Sequence, residues 1–257
     1  MIFIYSSLFL LNSNKYTYIL NMILFVFDTE TNGLPKTWKT DKRGWHQHWP
    51  EIVQVSWILF NTNENHVISI HDHIVQCDAP LQEEAVKIHG ITQKRMDEEG
   101  EPLRHILHQF RRDIETADMI IAHNLNFDYH VISASCIHVP ISDIMTSDSI
   151  RSKQFYCTMK EGKSLCNIRQ QHRITGHIRL KFPKLIELHE ILFPEHINEQ
   201  YLHNSLYDVL FTLRCVCKMH FNVDILYINK ELNNILQPLL ISNITPSCET
   251  MTIQDIP

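Results

Sequence analysis

The chain is poor in glycine, with six in 257 residues, and it has no glycine-rich tethers. That scarcity argues against low-complexity linkers and leaves one large domain or two small ones. Long hydrophobic runs are also missing. Ile2 to Leu11 is apolar, but it is too short to span a bilayer, no basic residue precedes it and no convincing small-residue cleavage site follows it. Residues 1–21 are therefore expected to be an extension of doubtful structure, with a weak signal anchor as the competing reading. The folded unit should begin at Met22, with no membrane association. The seven cysteines include no Cys-x-x-Cys pair, and Cys215-x-Cys217 is too close for an ordinary disulfide or a zinc knuckle. Free thiols in a reducing intracellular compartment, cytoplasm or nucleus, are the simplest expectation. A basic excess is absent too. The net charge is −6, which by itself does not point to a nucleic-acid partner.

What is present is a real core: 44% of the residues are hydrophobic and 20% charged, as in soluble globular proteins. Its clearest stretch is Ile23-Leu24-Phe25-Val26-Phe27, a strand buried on both faces that runs into Asp28-Thr29-Glu30. Positions i and i+2 of a strand point to the same side, so Asp28 and Glu30 project together from its end. Unpaired, two such anions repel and resist burial; a hard divalent cation relieves both costs. The alternative is a solvated strand end. Asp97/Glu99 and Asp113/Glu115 share the spacing but lack the apolar strand leading in.

Strands are predicted over Ile52–Phe60 and Val67–Val75, completing an antiparallel meander. Short helices follow, about Leu81 to His89 with Gly90 closing it, and from Pro102 through Ile114 on the periodicity of Leu103, Ile106, Leu107 and Phe110. Met119–Ala122 reads as a short buried strand, followed by a helix through Ile137. Phe155–Thr158 reads as a last strand. A helix opens near Pro183, and a strongly periodic one follows His203-Asn204-Ser205, with Asn204 or Ser205 as its cap and Asp208 in its first turn. The pattern weakens after Asn229, so residues 229–257 are expected to be a C-terminal tail beyond a domain spanning 22–228. His71-x-His73 and His46-x-His48 are expected to be surface features.

Two segments stand apart. Residues 34–50 interleave Trp38, Trp45 and Trp49 with four basic residues, which suits either a single-stranded nucleic acid or a loop packed on the domain. Residues 151–184 carry a net charge of +8, leaving about −14 on the remainder. A basic segment on an acidic body is a candidate phosphate-binding rim, with Arg169, Arg173 and Arg179 as its substrate-binding residues.

Three motifs in order, FDTETNG at 27–33, AHNLNFD at 122–128 and HNSLYD at 203–208, resemble those of the DnaQ-like 3′–5′ exonucleases of the DEDDh group. KIHGIT at 87–92 supports the match, which covers roughly residues 22–220. The third motif is weak alone, because His-x-x-x-x-Asp occurs five times in this chain. His203/Asp208 is selected because it follows Asp128 and opens a periodic helix. The resemblance implies an RNase H-like mixed α/β fold, a five-stranded sheet flanked by helices. It implies two divalent ions, Mg²⁺ or Mn²⁺, held by Asp28, Glu30, Asp128 and Asp208, with neutral His203 as general base. Thr29, Thr31, Asn124 and Phe127 would bind the substrate, the single-stranded or frayed 3′ ends of DNA. RNA is the same-chemistry alternative and a non-catalytic binding module the different-class one; a polymerase is the candidate protein partner.

Overall fold

The computed structural model describes residues 22–41, 43–171 and 176–241. The extension 1–21, Lys42, Arg173 and residues 242–257 lie outside the described residues. The centre is a five-stranded sheet: β1 (Ile23–Thr31), β2 (Ile52–Asn61), β3 (His66–Ile74), β4 (Met119–Ala122) and β5 (Gln154–Cys157) in the order β3-β2-β1-β4-β5. The first three strands form the expected antiparallel meander, while β4 and β5 run parallel to β1. This is the RNase H-like mixed sheet.

Alternation along β1 divides the core into two layers. Leu24 and Val26 pack under the helices α7 (Leu185–Leu192) and α8 (Ser205–Phe221). Phe25 and Phe27 pack under α3 (Leu103–Thr116) and α4 (Leu125–His138), where Phe110 meets both rings edge-on. Asp28 and Glu30 continue the Leu24/Val26 row beyond the point where apolar cover ends. The sequence pattern places the remaining short helices α1 (Glu83–His89) and α2 (Gln93–Glu99) after the meander, and α5 (Asp148–Arg151) before β5. Gly90 ends α1 in the left-handed region at φ 71°, where glycine carries no Cβ penalty.

Three expectations are corrected. The folded unit does not stop at 228: after α9 (Ile225–Ile228), helix α10 (Lys230–Leu236) buries Leu232 and Leu236 in the main core. β9 (Leu240–Ile241) then pairs with β8 (His196–Ile197). Short alternating apolar residues beside a large core need little periodicity to stay attached. The basic segment has more structure than the strand read within it. It contains α6 (Thr158–Cys166) and a separate hairpin of β6 (Arg169–Gln171) and β7 (Ile178–Leu180). His71 and His73 are not freely solvated: both stack on Trp57, and they meet Asp113 and Glu101 respectively.

One buried charge holds the α7–α8 layer. Arg214 is fully buried, forks two hydrogen bonds onto Asp224, reaches Glu195 and lies 3.8 Å over the Phe193 ring. Removing one side of such a network leaves the other buried and unpaired. Arg214→Ala is expected to cost about 3–5 kcal/mol, measured by urea unfolding; a loss below about 1 kcal/mol would mean that the pair is solvated.

Candidate active site

The four carboxylates named by the motifs converge on one cavity of about 710 Å³, at the end of β1 where the two helical layers meet. Asp28 and Glu30 come from β1, Asp128 from the first turn of α4 and Asp208 from the first turn of α8. A β-bulge between Glu30 and Thr31 ends the regular ladder there.

Asp128 and the β1 backbone at Asp28 are held from behind. The Thr29 hydroxyl and backbone N–H both donate to Asp128 Oδ1, at 2.8 and 3.1 Å. Thr29, expected to bind substrate, lines the cavity, and its hydroxyl and amide both hold Asp128. Thr31 is likewise buried, its hydroxyl donating to the Gly33 carbonyl at 2.8 Å. At the other side, Ser205 Oγ donates to the Asp28 carbonyl at 2.7 Å, and the Ser205 N–H donates to Gln54 Oε1 at 3.4 Å. Gln54 is itself fixed by its amide on Asp72 at 2.7 Å. Asn204 supplies the cap, accepting from the Leu206 N–H. The start of α8 is thus docked on β1 and β2, and one turn later Asp208 faces the carboxylates. From the sequence Ser205 reads only as a cap, and Gln54 belongs to no motif. A polar pair facing inward on an otherwise apolar strand was the one available signal for Gln54.

The electrostatics are strongly unfavourable in the absence of a cation. Burial pushes Asp28 up to about 7, only partly offset by the Ser205 hydroxyl. Burial, then repulsion from Asp28, Asp208 and Asp128, pushes Glu30 up to about 10. Asp128 and Asp208 are also held well above the usual carboxylate range by burial and by Asp28. Among the described residues no Lys or Arg forms an ion pair with any of the four. Asp208 Oδ1 is buried with no hydrogen-bond partner, an arrangement that normally costs about 1–3 kcal/mol or more. Ligand atoms of Glu30, His203 and Asp208 lie within 4.8 Å of one another. Hard oxygen donors with uncompensated charge and an orphaned oxygen fit a divalent cation.

A pH dependence follows. A carboxylate whose folded pKa exceeds its unfolded value destabilises the fold increasingly as pH rises through that window. In chelator, lowering the pH from about 8 to about 6, across the Asp28 value of about 7, is expected to raise the melting temperature. Saturating Mg²⁺ should abolish that rise. A melting temperature in chelator that falls over this interval would contradict the reading.

The two motif histidines differ. His123 is held on both ring nitrogens, by Thr158 Oγ1 at 3.0 Å and by the Pro183 carbonyl at 3.1 Å, and burial lowers its pKa to about 4. With Nε2–H donating to a carbonyl it fastens the Pro183 segment and has no free base. His203 lies at the cavity rim in the left-handed region at φ 61°. Burial first, and Lys184 second, lower its pKa, keeping it neutral.

The expected substrate contacts divide. Thr29, Thr31, Asn124 and Phe127 all line the cavity. Arg169 and Arg179 are exposed and do not line it. They occupy adjacent, non-partnered rungs of the hairpin, since Arg169 pairs with Leu180 and Arg179 with Gln170, so they face opposite sides. Lys184 and Phe182, from the same basic segment, do line the cavity. In the 34–50 loop, Trp49 is buried and stacked on His130, while Trp38 leans over Phe127 at 6.1 Å with 57% of its surface exposed.

Sheet order and carboxylate placement define a nuclease of RNase H-like fold. The exonuclease family model (RNase T) matches residues 25–216, and the chain belongs to that family, the DnaQ-like 3′–5′ exonucleases. Among solved structures, it is similar to zinc-bound exonuclease I of E. coli in complex with single-stranded DNA, at 16% identity and a TM-score of 0.56, covering 84% of this chain and 43% of that one. It is similar too to the same enzyme with a dA16 oligonucleotide, at 17% identity and a TM-score of 0.54, covering 83% and 45%. Exonuclease I of Methylocaldum szegediense gives 15% identity and a TM-score of 0.55, covering 84% and 45%. The chain thus spans less than half the length of these enzymes. No curated protein sequence matches it. Among the described residues no helix is long and apolar enough to cross a membrane.

Proposed function

We propose that this chain is a metal-dependent 3′–5′ exodeoxyribonuclease, acting on single-stranded or frayed 3′ ends and releasing nucleoside monophosphates. The observation that carries the reading is the convergence of four carboxylates with uncompensated charge on one cavity. Asp28, Glu30, Asp128 and Asp208 would hold two divalent cations, Mg²⁺ or Mn²⁺, which supply relief of charge on the leaving oxygen and ionisation of water near neutral pH. His203, neutral and at the rim, accepts the proton of the attacking water. Thr29 and Ser205 keep Asp128 and the β1 backbone in place while charge develops. Lys184 lines the same cavity and offers a cation to the substrate phosphates. The single-stranded DNA named with the exonuclease I structures supports DNA as the substrate.

Initial rates on 5′-labelled DNA and RNA strands of equal sequence test the choice of sugar. DNA is expected to be shortened faster; faster shortening of RNA would overturn the DNA assignment and leave an exoribonuclease. Across a salt series, only one of Arg169→Gln and Arg179→Gln should reduce the log–log slope of binding by about 0.7, the contribution of one phosphate of a single strand, because the two face opposite sides of the hairpin. Equal effects would mean that the strand wraps both faces.

A further inference from the structure

The basic segment contributes to the cavity a ring as well as charge. Phe182 lines the same cavity as the four carboxylates, yet 46% of its surface is exposed, high for a phenylalanine at a site wall. It is also backed by a cation: Lys163 Nζ sits 4.4 Å from the ring centroid. Lys163 is on α6, whose Gly162 packs so closely on α7 that an added Cβ would lie 2.8 Å from Leu188 Cδ1, so the turn carrying the lysine is seated against the core. The ring has a fixed foundation as well. Its neighbour Pro183 is tied through its carbonyl to His123, and Lys181 on the other side pairs with Glu187. An exposed aromatic ring, immobilised on both flanks and with a cation against it, is preorganised to receive a flat partner.

We propose that Phe182 is a stacking platform for an unpaired nucleobase of the substrate strand, upstream of the nucleotide being removed. This rests on the exonuclease reading above and specifies how the strand is held. Electron withdrawal by the Lys163 ammonium favours an electron-rich π-face against the ring, and every nucleobase offers one. Lys184, two residues on and also in the cavity wall, is placed for the backbone phosphate that accompanies such a base. Stacking of this kind needs the base out of its duplex, so the platform selects for unpaired strand without reading sequence. Further out on the hairpin, Ile178 and Leu180 share one face of β7 by alternation, and Ile178 is 70% exposed.

The probe is a dT oligonucleotide carrying one 2-aminopurine near its 3′ end, placed in turn at the second, third and fourth positions, added in chelator so that no cleavage occurs. Wild-type protein should quench the fluorophore at one of these positions, and Phe182→Leu should remove that quench. Affinity by anisotropy should fall roughly 5- to 150-fold, the range for loss of one base–aromatic stack. Phe182→Tyr should restore both. In Mg²⁺, the loss caused by Phe182→Leu should be larger on the oligonucleotide than on a thymidine mononucleotide ester, which has no upstream base. A quench unchanged by Phe182→Leu, with wild-type binding intact, overturns the platform alone. Equal loss on the mononucleotide ester also overturns it, because the ring would then belong to the pocket for the terminal nucleotide. Failure of the wild type to bind any oligonucleotide or hydrolyse the ester overturns the exonuclease reading with it.

Discussion

Asp28→Ala is expected to release no nucleotide above background in Mg²⁺ while remaining folded. Beside burial, Asp28 raises the pKa of each of the other three, so it is the anion they all face and would be a ligand to the bound cations. Removing it takes away a ligand that no neighbour replaces, because Thr29 and Ser205 hold the backbone and Asp128, not a spare oxygen. The fold should not suffer, since the substitution removes a buried charge that repels its surroundings. In chelator the melting temperature should stay level or rise. Glu30→Ala, Asp128→Ala and Asp208→Ala should behave alike in activity, though Asp128→Ala also orphans the Thr29 hydroxyl and should gain the least stability. A near-wild-type rate for Asp28→Ala in Mg²⁺ would remove the basis of the assignment.

His203→Ala should lose roughly 10²–10⁴-fold in turnover, the usual contribution of a general base, with Mn²⁺ affinity largely kept. Of the five histidines that precede an aspartate by five positions, only His123 and His203 line the cavity, so His73, His108 and His138 are set apart from it. His123 is held on both nitrogens, His73 is paired with Glu101, and His138 lies at the end of α4 against His46. His138→Ala should therefore be tolerated. Because the pKa of His203 is lowered, the acid limb of the pH–rate profile should lie below the ordinary histidine value of 6.5. Lys184→Met removes a cation from its neighbourhood and should move that limb upward. If His138→Ala proves as damaging as His203→Ala, the base has been misplaced.

The site was readable where chemistry is carried by short sequence spacing. Asp28 and Glu30 follow from alternation on a strand already identified by five apolar residues, and Asp208 from a position in the first turn of a periodic helix. The meander and the parallel β4 were legible for the same reason. What could not be read is whatever depends on contact across the sheet. Ser205 reaches a β1 carbonyl 177 positions away, and its N–H finds Gln54 151 positions away. No local pattern encodes either. The motif marks Thr29 as a cavity residue, but not the bonds of its hydroxyl and amide to Asp128, 99 positions away. Net charge correctly marked 151–184 as unusual, but charge carries no register. The hairpin that puts Arg169 and Arg179 on opposite faces, and the ring of Phe182 in the cavity wall, are visible only once the strands are paired.

The central claim is that these carboxylates remove nucleotides one at a time from a 3′ end with the help of divalent cations. Its most direct test is a time course on 5′-labelled single-stranded DNA with purified protein in Mg²⁺, resolved at single-nucleotide length, with parallel samples in chelator. The account predicts a ladder shortening stepwise from the 3′ end, nucleoside monophosphates as the released product, and no change in chelator. Internal fragments at early times, a mononucleotide released from the labelled 5′ end, or cleavage undiminished by chelator would contradict it.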